Sequence, residues 1–172
     1  MIDLAKKIIN FYIENSKTPT LDDLDIEVND KKGSIFVTLY KNGEVIGSAG
    51  NIVEIENSTN EELIKSCIGA IEDKRFKKID ISDLNNIKIR IDEIIEKNLL
   101  KDKEITSLNP SDTGIIVIKK DYDDLAVLLP NISANINVGK DFILVLDKKL
   151  KSKYKKDDYL NYEIKTKITT NY

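Results

Sequence analysis

The chain has 172 residues, of which 41% are hydrophobic and 33% charged, with a formal net charge of −3. That length can bury one real core, and no apolar run approaches the roughly 18 residues of a membrane helix. There is no histidine and a single cysteine, Cys67. This excludes an intramolecular disulfide, any Ser-His or Cys-His catalytic arrangement, and a zinc site built by one chain.

Leu4, Ile8, Ile9 and Tyr12 recur at helical spacing, so the chain opens on an amphipathic helix. Met1 to Lys7 has no long apolar stretch and reads as helix rather than secretory signal, so a reducing, cytoplasmic setting is expected. Pro19 to Asp25 is an acidic loop whose Asp22, Asp23 and Asp25 lack a calcium-loop register.

Ile35 to Gly50 reads as a β-hairpin. Asn42-Gly43 between two β-rich runs predicts a two-residue type I′ turn, because both central residues need positive φ. Pairing outward without interruption sets Thr38 opposite Gly47 and Val37 opposite Ser48. Val37, Leu39, Ile46 and Ser48 then share one face. Ser48 becomes a lone hydroxyl on an apolar patch, and Gly47, Ala49 and Gly50 leave room for close approach to the backbone.

Ser58 with Glu61, or Thr59 with Glu62, predicts a capped helix start. Leu63, Ile64, Cys67, Ile68 and Ile71 give it one apolar stripe, with Cys67 a buried thiol. Asp73-Lys74-Arg75-Phe76 follows, and a short turn or helix is expected near Ser82 to Leu84. Arg75 is one of only two arginines, suited either to pair with Asp73 or to reach a ligand. Ile87, Ile89 and Ile91 alternate with polar residues as a strand. Ile115 to Ile118 and Leu125 to Leu129 suggest a second hairpin ended by Pro130, with Asp121, Asp123 and Asp124 as its turn residues. A helix is expected after Gly139. A strand with alternating Leu160, Tyr162, Ile164 and Ile168 closes the chain. The lysines from Lys148 to Lys156, with Tyr154, form a basic patch, but net acidity argues against nucleic-acid binding.

Three motifs in order resemble the AMMECR domain family, comprising the AMME-syndrome chromosomal-region protein and relatives called protein A of the AmmeMemoRadiSam system. Phe36-Val37-Thr38-Leu39, Lys41, Gly43 and Gly47-Ser48-Ala49-Gly50 stand where the family has Phe-Val-Thr-Leu, a turn glycine and Leu-Arg-Gly-Cys-Ile-Gly. Asp73-Lys74-Arg75-Phe76 stands for Asp-Pro-Arg-Phe, and Leu128-Leu129-Pro130-Asn131 for Leu-Leu-Pro-Gln. Ile46 and Ser48 replace the family's arginine and cysteine, which removes a forked anion donor and turns a thiol into a hydroxyl.

The resemblance implies a single domain over residues 1–172, possibly in two lobes. Its fold would be α+β: an antiparallel sheet flanked by helices, a smaller second lobe, and a cleft between them. It places Gly47, Ser48, Gly50, Arg75 and Asn131 as the candidate site, with no metal ligands and no cofactor of its own. It implies an accessory or ligand-binding protein rather than an enzyme, acting with a Memo-type protein and a radical S-adenosylmethionine enzyme. The alternative is an enzyme using Ser48 as nucleophile. Without histidine, its base would have to be a lysine or a carboxylate.

Overall fold

A computed structural model describes residues 1–27, 31–101 and 104–172. Within it the chain forms two compact units, Met1–Glu93 with Lys167–Tyr172, and Ile94–Thr166. The fold is α+β, and its antiparallel strands follow the hydrogen-bonded order β2-β1-β3-β6-β4-β5. Here β1 is Ile35–Lys41, β2 Glu44–Gly50, β3 Lys88–Leu99, β4 Gly114–Lys119, β5 Leu125–Leu128 and β6 Tyr159–Thr170.

In the first unit, helix α1 (Ile2–Asn15) buries Ala5, Ile8 and Ile9. It ends at Ser16, whose φ of 52° and N–H bond to Tyr12 O (2.8 Å) close the last turn. Helix α2 (Thr59–Ile71) begins at Ser58. The Ser58 hydroxyl accepts from Glu61 N (3.2 Å) and lies 3.0 Å from Glu61 Oε2, tying both ends of the first turn. The apolar stripe of α2, Cys67 included, joins Ile35, Val37, Leu39, Ile89 and Ile91 in one core. Asp22–Leu24 form a 3-10 turn in the acidic loop, where Leu21 and Leu24 are buried in the same core. A second 3-10 turn, Ile81–Asn86, starts on Asp80, which accepts from Ser82 N (2.8 Å).

The first hairpin closes as the sequence predicts: Asn42 (φ 53°) and Gly43 (φ 82°) are both left-handed, and Lys41 faces Glu44. The register beyond the turn differs from the uninterrupted pairing. Tyr40 faces Val45, but Leu39 faces Gly47, so Ile46 is an extra residue on β2. Thr38 therefore lies opposite Ser48, and Val37 opposite Ala49. The bulge turns Ser48 to the opposite face from Val37 and Leu39.

Packing explains it. A Cβ on Gly47 would lie 1.9 Å from Ala70 O, so only glycine fits where α2 crosses β2. The bulge sets that glycine under the helix and lets Ile46 pack against the core as well.

In the second unit, helix α3 (Gly139–Lys149) buries Phe142 and Leu146 against Ile115 and Val117 of β4, Leu128 of β5 and Tyr159 of β6. Asp141 accepts from Asn137 N (2.8 Å) and Val138 N (3.0 Å) at its start. In the second hairpin Lys119 pairs with Asp121 and Asp123 (3.0 and 2.9 Å). Asp124 instead turns inward, accepting from Lys151 N (2.8 Å).

Candidate functional site

The face of β1, β2 and β3 away from α2 carries a cross-strand row. Ser48 faces Thr38, and Thr38 faces Arg90 on its other side. Thr38 is buried and Ser48 half-buried, with their hydroxyls 3.0 Å apart. Arg90 forms a two-pronged pair with Asp92, Nε to Oδ2 at 2.7 Å and Nη2 to Oδ1 at 2.8 Å. Residues two apart on a strand share a face, so β3 itself aligns this pair. Both side chains are almost fully buried, 3% and 0% exposed, so neither charge can do without the other. The next rung holds Tyr40 opposite Lys88, with the Tyr40 ring edge-on to Tyr172 at 6.0 Å.

A second arrangement grips Ser48 from outside the sheet. Its N–H donates to Asp73 Oδ2 (3.1 Å) and its carbonyl accepts from Arg75 Nη2 (3.1 Å). The two gripping residues are bonded to each other, Nε to Oδ1 at 2.8 Å and Nη2 to Oδ2 at 2.6 Å. Arg75 N also donates to Asp73 Oδ1 (3.2 Å), and the guanidinium sits 5.5 Å from the Phe76 ring centre. Arg75 holds the Asp73 carboxyl below its usual range, helped by the Ser48 and Arg75 N–H groups and opposed by burial. The bond in which Asp73 engages its guanidinium raises Arg75 in turn.

The structure thus brings Ser48 and Arg75 together, through the Ser48 carbonyl. Gly47 lies beneath α2. At Gly50 a Cβ would fall 2.4 Å from Ile35 O, so its smallness serves the strand pairing itself. Asn131 belongs to the second unit, in a left-handed turn (φ 47°) where its N–H donates to Pro110 O (2.7 Å).

Sequence reasoning read Asp73 as a partner of Arg75, as found, and missed Thr38, Arg90 and Asp92. The last two had a signal, since an arginine two residues before an aspartate on a strand puts both on one face.

Chemically, the Ser48 hydroxyl has a hydroxyl neighbour in Thr38. Among the described residues no Lys, Asp or Glu side chain bonds to it, and Asp73 takes the backbone N–H instead. A hydroxyl paired with another hydroxyl offers one donor and spare lone pairs.

The AMMECR1 family matches residues 2–170 of this chain. The chain belongs to the AMMECR1 family. Among curated proteins, it is 27% identical over 150 residues to Protein CA_C1420 of Clostridium acetobutylicum. That match covers 86% of this chain and 31% of the relative, so the AMMECR1 chain spans about a third of that protein. Among solved structures it is similar to the uncharacterised protein PH0010 of Pyrococcus horikoshii, with a TM-score of 0.82 and 19% identity. This covers 99% of the present chain and 89% of the archaeal one, a likeness of fold.

The basic patch of this AMMECR1 chain is partly tied down. Lys149 Nζ donates to Val127 O (3.1 Å), Lys151 Nζ to Asp123 O, and Lys156 pairs with Glu104 (2.6 Å). Among the described residues no three His, Cys, Asp or Glu side chains gather as metal ligands, and no helix is long and apolar enough to cross a membrane.

Proposed function

We propose that this AMMECR1 chain is an accessory or ligand-binding protein that acts with a Memo-type protein and a radical S-adenosylmethionine enzyme. The observation that carries this reading is the state of Ser48. Its hydroxyl is bonded to Thr38, its backbone is held by Asp73 and Arg75, and no base reaches it among the described residues. Such a group presents fixed donors and acceptors and does not turn over substrate by itself. The partner classes come from the family resemblance, in which bacterial members are associated with those two proteins.

The test is to tag the chain in its native host, cross-link, recover it and identify the bound proteins by mass spectrometry. Recovery of a Memo-type or radical S-adenosylmethionine protein, lost when a Ser48→Arg variant is used as bait, is the expected result. Recovery of the bait without either protein refutes the proposed partnership.

A further inference from the structure

Strand β2 ends one side of the sheet, so one row of its backbone N–H and C=O groups faces outward. Such a row is a template for another strand, and folded proteins cover or distort it. Here both devices are present. The bulge at Ile46 breaks the row, and two residues on, the Asp73–Arg75 pair occupies both outward groups of Ser48. One carboxylate takes the N–H and one guanidinium takes the C=O, which is what a neighbouring strand would have done.

The geometry of Ser48 also says which strand fits. Its side chain meets Thr38 Oγ1 while its N–H and C=O both point away from β1, as in a non-hydrogen-bonded antiparallel pair. The opposite side of the same residue is therefore set for a hydrogen-bonded pair, in which two facing residues exchange both bonds. A second copy of β2 running antiparallel places its own Ser48 there, and the contact is self-complementary about a two-fold axis.

We propose that the outer edge of β2 is a latent pairing surface for β2 of a second copy, centred on Ser48, and that the Asp73–Arg75 clasp keeps it closed. This is independent of the accessory reading, which concerns other proteins.

The experiment compares the parent chain with D73A/R75A by light scattering across a concentration series. Circular dichroism checks the fold, and hydrogen exchange is read at the Ser48 amide. The double variant is expected to show twice the parent's mass as concentration rises. Its Ser48 amide should exchange fast when dilute and slowly when paired. Adding Ser48→Pro, which removes the outward donor on an edge strand where proline is tolerated, should abolish the doubling. A folded double variant that keeps the parent's mass throughout overturns the proposal, as does a triple variant that doubles equally well. If the double variant does not fold, Asp73→Asn and Arg75→Ala are taken singly. Each weakens one half of the clasp and should give the same mass increase at several-fold higher concentration. No increase in either overturns the proposal.

Discussion

At the scale of single residues, two glycines separate space from conformation. Gly47 is crowded: an added methyl meets the Ala70 carbonyl, which belongs to the helix backbone and cannot swing aside. Gly47→Ala should cost about 3 kcal/mol, the upper range for overpacking, read as a fall in the denaturant midpoint. Gly43 has open space around it but a φ of +82°, so Gly43→Ala should cost only about 1 kcal/mol, the penalty of a left-handed backbone.

Cys67 is fully buried in the stripe of α2, and burial pushes its thiol well above the usual range. A thiol reagent should leave the folded chain unmodified at neutral pH and react fully once denaturant is added. Modification of the folded chain at the rate of an exposed thiol would contradict the core placement.

Asp73 adds a pH dependence. Its folded pKa is depressed, so the clasp contributes in full above the ordinary value of 3.8 and is lost as pH falls through the lower folded value. Asp73→Asn should flatten that acid limb of the stability profile and leave the neutral and alkaline parts parallel to the parent's.

At the scale of elements, the buried Arg90–Asp92 pair is the part of the sheet most exposed to mutation. Asp92→Ala takes the counter-charge from a buried guanidinium and should cost about 3–5 kcal/mol. Arg90→Met with Asp92→Leu removes both charges together and should lose much less, which a double-mutant cycle by chemical denaturation measures.

The helices, both hairpins and the closing strand were legible because their signals are local: periodicity, an Asn-Gly turn, a serine cap. The face carrying Ser48 was not. It depends on one extra residue at Ile46, and the bulge answers to a tertiary contact, the crossing of α2 over Gly47. Pairing rules that count outward from a turn cannot see a helix arriving from Ala70. Glu62 shows the same limit. It is 1% exposed, whereas the sequence reads it as a capping partner of Thr59 in the first turn of a helix. Its carboxylate accepts from Asn51 Nδ2, Ile55 N (3.3 Å) and Glu56 N (3.1 Å), fixing the segment that leaves β2. Arg75 stood in the sequence as either clamp or ligand group, and only its geometry shows it bonded to Asp73 and the Ser48 carbonyl.

At the scale of the molecule, family membership and the fold rest on nearly the whole chain, whereas the chemistry rests on a few residues of the first unit. There, the Ser48 hydroxyl meets Thr38 on the sheet face, and the Ser48 backbone is held by Asp73 and Arg75 at the strand edge. A hydroxyl held in this way, with no base bonded to it among the described residues, fits the proposed action of this AMMECR1 chain through binding. Isothermal titration of the purified chain into a Memo-type protein from the same genome measures that binding. Saturable binding that Ser48→Arg abolishes, with the circular dichroism unchanged, is the expected result. The absence of binding heat, with the same chain hydrolysing ester substrates through Ser48, would contradict it.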